Sequence, residues 1–195
     1  AYLLLIIDSI NKNDFKKTIK YLNDLSKFRG NDNLNLIIYE SLKNYNYLFE
    51  NKRIPSNDSA FSNLSLISMA FQSCYLGEKQ AQSYFDNLIH NNEVDYSRYI
   101  FFYINNLIEQ NKFQAAKEIT DQIDILNNNL LIMQTKNWVD NKKLEKFSEI
   151  FSCKNESDIL GEFFYLIANS YSSQNDFEKS NFYINISNFL NPKFK

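Results

Sequence analysis

The chain has 195 residues, of which 44% are apolar and 16% aromatic, with a formal net charge of −2 and a pI near 5.5. That length and apolar content suffice for a sizeable core, and the mildly acidic balance supplies no basic field for a phosphate backbone, so nucleic acid is not an expected partner. No apolar run approaches the roughly 18 to 20 residues that cross a bilayer, so no membrane span is expected.

Apolar residues recurring at intervals of three and four predict helices near 1–11, 14–28, 34–51, 60–76, 79–91, 96–110, 112–126, 129–139, 142–151, 158–173 and 176–190. Glycine and proline, the usual punctuation of β-rich folds, number only three and two. The first helix opens with Leu3-Leu4-Leu5-Ile6-Ile7 and runs into Asp8 without a small-residue cleavage site, which reads as neither anchor nor signal peptide. The chain starts at Ala1 without a methionine, so excision from a longer protein is expected. Between the first two helices stands Asn11-Lys12-Asn13-Asp14-Phe15; related segments recur as Glu109-Gln110-Asn111-Lys112-Phe113 and Ser173-Gln174-Asn175-Asp176-Phe177, with Leu76-Gly77-Glu78-Lys79 in the same context. Each predicts a tight turn between antiparallel helices. Asn or Gly takes the left-handed backbone that ends one helix, and Asp14 and Asp176 cap the next. Lys52 to Asp58, which includes Pro55, reads as a loop where a short second helix would be expected. Lys16-Lys17 and Lys142-Lys143 read as solvated helix faces.

The turn residues are spaced with a period. Gly77 to Asn111 is 34 positions, while Asn13 to Gly77 and Asn111 to Asn175 are each 64, which implies one abbreviated repeat in each long interval. The last helix pair carries the fullest internal pattern. Phe164, Ile167, Ala168 and Tyr171 are followed by Ser180 and Ile184, and Pro192 closes the unit. Small Ala168 and Ser180 would let two helices approach while the larger side chains fill the space around the contact. Ala116 with Thr120, Ala81 with Phe85, and Thr18 with Leu22 repeat the spacing of a small residue and a larger one four positions on.

With these residues the chain resembles a tetratricopeptide-repeat protein, and more narrowly the long repeat proteins of alphaproteobacteria; the strongest echo is the block from Gly161 through Phe194. The resemblance implies an all-α fold, an alpha-alpha superhelix of stacked antiparallel pairs with some repeats degenerate, forming a single helical-repeat domain over 1–195. Thr120, Ser9 and the loop at Lys52–Asp58 depart from the family pattern. No polar capping helix follows Pro192, so continuation beyond Lys195 is expected. A partner-binding array with no catalytic residue is what the resemblance implies for function.

The residues themselves offer little catalytic chemistry. His90 is the only histidine and reads as a surface or capping residue at a helix end. Gly30, Gly77 and Gly161 are too isolated to make a phosphate loop, and Glu156, Asp158 and Glu162 read as favourable charges at a helix start instead of a metal site. Asn-x-Ser triplets such as Asn57-Asp58-Ser59 and Asn185-Ile186-Ser187 are expected by chance in so Asn- and Ser-rich a chain. Cys74 and Cys153 make neither a disulfide framework nor a zinc site by themselves; one bridge is possible, and two half-buried thiols are the simpler reading, which leaves the redox compartment undetermined. The expected function is therefore a non-enzymatic scaffold that binds a protein or peptide, without cofactor or metal. On the first helix of each pair the groove-facing positions are Arg98, Phe101, Asn105 and Ile108, and then Glu162, Tyr165, Asn169 and Ser172. An aromatic followed four residues on by Asn recurs in both, and an Asn amide both donates to and accepts from a peptide backbone. The alternatives are aromatics that pack on neighbouring repeats, and a segment that serves as a rigid spacer with the functional site elsewhere.

Overall fold

The computed structural model describes residues 2–27, 33–55, 62–90, 97–123 and 129–194. Among these residues the chain is all-helical and has no strand, in the order α1 (Tyr2–Asn11), α2 (Phe15–Ser26), α3 (Asn33–Asn51), α4 (Ser62–Leu76), α5 (Gln80–Ile89), α6 (Ser97–Glu109), α7 (Phe113–Asp121), α8 (Leu130–Asp140), α9 (Glu145–Ile150), α10 (Glu156–Ser173) and α11 (Phe177–Leu190). Every expected helix is present. Gly30, the Asn57 triplet and the end of the loop after Pro55 lie outside the described residues.

The turns follow the backbone chemistry read from the sequence. Asn13, Gly77, Asn111 and Asn175 all have positive φ, between 56° and 74°. At each, the amide of the left-handed residue donates to the carbonyl three residues back and the next amide to the carbonyl five back, which satisfies two of the carbonyls a helix end leaves open. The carboxylates of Asp14 and Asp176 accept from the amides of Lys17 and Lys179, as N-caps do. Lys142 is a fifth turn of the same hydrogen-bonded form, at φ 57°, and it corrects the reading of Lys142-Lys143 as a helix face. It shortens α9 to start at Glu145 and divides the interval of 64 residues into 31 and 33, close to one repeat each. Lys52, at φ 52°, ends α3 with its amide donating to the Leu48 carbonyl.

The chain divides into two compact units, residues 1–61 with 156–192, and residues 62–155 with 193–195. In the first, α1 and α2 meet as a pair around a buried hydrogen bond of 2.8 Å between the Ser9 and Thr18 hydroxyls; Ser9 also donates to the Ile6 carbonyl. The departure at Ser9 is thus a satisfied polar contact at a close crossing. The second pair is α10 with α11. Tyr183 stacks on Tyr171 at 5.4 Å and on Phe164 at 6.0 Å, and Ser187 Oγ donates to the Gly161 carbonyl at 2.7 Å. Phe164, Ile167, Ala168 and Tyr171 are buried as their spacing predicts, whereas on α11 the deeply buried side chains are Tyr183, Ile186 and Leu190, with Ser180 and Ile184 half-buried. Gly161 is a point of close approach, where Ser187 and Asn191 of the second helix end lie against it.

This unit is built from segments far apart in sequence. The chain leaves it after α3 and returns at α10, where Phe163 packs edge-on to Tyr45 at 5.8 Å, Glu156 pairs with Lys52 at 3.4 Å, and Ser157 Oγ donates to Asn11 at 3.0 Å. In an open array each repeat touches only its neighbours. A contact between α3 and α10 is therefore an arrangement that the expectation of one uniform array over 1–195 does not contain.

In the second unit α4 to α9 share a core of aromatic side chains. Phe71 of α4 meets Phe85 of α5 at 5.7 Å and Phe102 of α6 at 5.0 Å; Phe147 of α9 lies against Phe101 at 5.6 Å and Trp138 at 5.4 Å. Ala81, Phe85, Ala116 and Thr120, picked out by the small-then-large spacing, are all buried. Cys74 of α4 and Cys153, just after α9, form a disulfide across 79 positions of sequence, which corrects the reading of two half-buried thiols. Both cysteines are buried, and the fold brings together two residues that no local pattern connects. Among the described residues no helix is long and apolar enough to cross a membrane.

Candidate functional site

A groove of about 380 Å³ opens on the second unit where α6, α7 and α8 meet the start of α9. Its apolar lining comes from Ile108, Phe113, Ala116, Val139 and Leu144, and its polar rim from Gln114, Lys117, Asp140 and Lys142. The volume falls in the range of sites that hold a ligand or anchoring side chain, which are mostly apolar with a few placed polar groups. Phe113 is 46% exposed, although it begins a helix that buries Ala116 and Thr120 three and seven residues on.

Ion pairs hold the two walls together. Lys117 of α7 pairs with Asp121 on its own helix and with Asp140 of α8 at 3.2 Å, while Lys136 of α8 reaches Asp121 at 3.7 Å and donates to the Thr120 carbonyl at 2.6 Å. The hydrogen bond from Lys117 holds the Asp121 carboxyl below its ordinary range, and the bonds to Asp121 and Asp140 raise the Lys117 amine. Both therefore carry charge at neutral pH. Thr120, a departure from the repeat pattern, is fully buried with its hydroxyl donating to the Lys117 carbonyl, so a small polar residue is accommodated where Lys136 crosses.

The predicted groove residues fall on both units, four on α6 and four on α10. Of the set on α6, Ile108 lines the groove, and the Arg98 guanidinium lies over the Phe194 ring at 4.2 Å. Phe101 and Asn105 are corrected: both are buried, Phe101 stacked between Phe147 and Phe194 at 5.6 and 5.1 Å, and Asn105 donating to the Phe151 carbonyl at 2.8 Å. The physical reason is that α6 has neighbours on several sides, α5, α7, α8 and the segment after α9, so its supposed open face is interior. On α10, Glu162 is also buried, Tyr165 is half-buried, and Asn169 and Ser172 are exposed. These belong to the first unit, so the recurrence of an aromatic and an Asn four residues apart marks an interior contact in one place and a surface in the other. The groove residues missed in the sequence, Phe113, Val139 and Leu144, had one usable signal. Phe113 follows the turn at Asn111 as Phe177 follows that at Asn175, and both are exposed, Phe177 at 60%, whereas Phe15 after Asn13 is half-buried.

Beside the disulfide lies a second polar cluster. Ser152 Oγ donates to Glu109 at 2.8 Å, and Lys154 Nζ donates to the Cys74 and Tyr75 carbonyls at 3.1 and 2.6 Å, closing the end of α4. Burial raises the Glu109 carboxyl above its ordinary value against the pull of Ser152 and Lys154, and burial lowers the Lys154 amine against the pull of Glu109. These contacts run within the unit and secure the segment after α9. His90, exposed, sits as the C-cap of α5 with Nδ1 at 2.9 Å from the Asp86 carbonyl oxygen. No known family, curated protein or solved structure matches the chain.

Proposed function

We propose that this protein is a non-enzymatic binding scaffold of tetratricopeptide-like helix pairs, and that its second unit holds a peptide or helix by an apolar side chain in the groove between α7 and α8. The observation that carries the reading is an open apolar cavity whose walls are fixed by a four-residue ion-pair network, with an exposed aromatic at its mouth. Lining of this composition provides buried area for an aliphatic or aromatic anchor, and the charged rim orients the polar residues beside it. The repeated turns support the tetratricopeptide-like part of the reading, with intervals of 34, 31 and 33 residues from Gly77 to Asn175.

Peptides selected on the full chain from a displayed random library should share an apolar anchor. Their affinity, measured by fluorescence polarisation, should weaken at least about tenfold in Phe113→Asp, since a carboxylate at the mouth opposes burial of an apolar group. Phe182→Asp, at an exposed site in the first unit, should bind as the parent does. Equal affinity of the parent and Phe113→Asp overturns the assignment of this groove.

A further inference from the structure

We infer that Cys74–Cys153 is a structural crosslink, formed by thiol–disulfide exchange in an oxidising compartment and shielded from thiol reductants by the fold around it. Cys74 is 1% exposed and Cys153 not at all, and their Cα atoms stand 5.7 Å apart, within the span a disulfide bridges without backbone movement.

The segment that carries Cys153 is held in place by contacts independent of the bond. Asn105 Nδ2 donates to the Phe151 carbonyl, Ser152 bonds Glu109, and Lys154 caps α4 through the carbonyls of Cys74 and Tyr75. The Phe151 ring packs on Phe102 at 4.7 Å and Phe71 at 5.8 Å. Asn106 Nδ2 donates to Cys74 Sγ at 3.1 Å. Folding of this unit therefore delivers the two sulfurs to each other, and the same packing then covers them.

Formation removes two electrons and two protons from the thiols, and a disulfide-class oxidant takes them up. One cysteine thiolate attacks the oxidant's disulfide and expels a thiolate; the second attacks the resulting mixed disulfide, leaving the Cys74–Cys153 bond and two thiols on the reduced oxidant. Reduction is the reverse and needs a thiolate aligned on a sulfur, which the buried site denies until the unit opens. Reducing compartments keep such pairs as thiols, so a completed buried bridge belongs to a protein matured where disulfides persist.

The test uses the full chain, equilibrated in a mixture of reduced and oxidised glutathione poised as in an oxidising compartment. After transfer to guanidinium without reductant, alkylation followed by mass measurement should find no modified cysteine; alkylation after reduction in guanidinium should find both. Dithiothreitol acting on the native protein should free the thiols at least about tenfold more slowly than in guanidinium. Two alkylated cysteines before any reductant, or glutathione carried on them, overturns the crosslink. Equal rates of reduction in native and denaturing conditions overturn the shielding.

Discussion

Lys142 carries the least suited side chain at a position where its neighbours in the other turns are Asn or Gly. A left-handed backbone costs an L-residue roughly 1 to 2 kcal/mol, less for Asn, and nothing comparable for Gly. Lys142 at φ 57° accepts that cost because the turn between α8 and α9 satisfies the Trp138 and Val139 carbonyls and aims Leu144 at the groove. Lys142→Gly should raise stability by about 0.5 to 1 kcal/mol, the strain relieved less the extra freedom of the unfolded chain. Urea denaturation checks this. A midpoint that stays level or falls would mean that the turn does not hold Lys142 in the left-handed region.

At the scale of elements, the pairing of α10 with α11 depends on a missing side chain. A Cβ added at Gly161 would lie 3.3 Å from Asn191 Cβ, tight enough that Asn191 must shift slightly, and 3.5 Å from the Ser187 carbonyl oxygen, already in contact, so a larger side chain has no room there. Gly161→Leu should therefore force the helices apart and break the bond from Ser187 Oγ, at a cost of about 2 to 4 kcal/mol. Asn169→Leu, on an exposed position of the same helix, should change stability by less than about 0.5 kcal/mol. Comparable losses in the two variants, read by chemical denaturation, would remove Gly161 as the point of contact. On α11 the repeat-pattern residues Ser180 and Ile184 are half-buried, while Tyr183, stacked on Tyr171, is buried.

Across the molecule, the disulfide and the pair of Glu109 and Lys154 beside it both belong to the second unit. Closing a 79-residue separation with a disulfide stabilises by up to about 4.5 kcal/mol in the chain-entropy description. Glu109 acts in the other direction at neutral pH. Burial raises its carboxyl above the ordinary 4.5, so the folded chain holds that proton more tightly than the unfolded chain, and stability falls as pH rises from about 4.5 through the raised value. Lys154, lowered by burial, gives the opposite slope in the alkaline range, where stability rises up to the ordinary 10.5. Glu109→Gln keeps an oxygen for Ser152 to donate to and removes the ionisation. Its melting temperature should gain on the parent's between pH 4 and pH 7, with the crossover region near the ordinary carboxyl value. Parallel melting curves across that range would show that Glu109 ionises as freely in the folded chain as in the unfolded one.

Local chemistry was enough for the sequence to determine the helices and most of their joints. Apolar residues at intervals of three and four must share a face, and Asn13, Gly77, Asn111 and Asn175 are residue types that accept a left-handed backbone, so these features depend on neighbours within a few positions. Lys142 escaped because lysine has no such preference; only the surrounding helices impose the turn. The pairing of Cys74 with Cys153, the return of α10 to α3, the burial of Phe101 and Asn105, and the groove at Ile108, Phe113 and Leu144 were decided by tertiary structure alone. Each depends on which helix lies across from which, and a periodic pattern tells a helix which face is apolar without telling it how many of its faces will be covered.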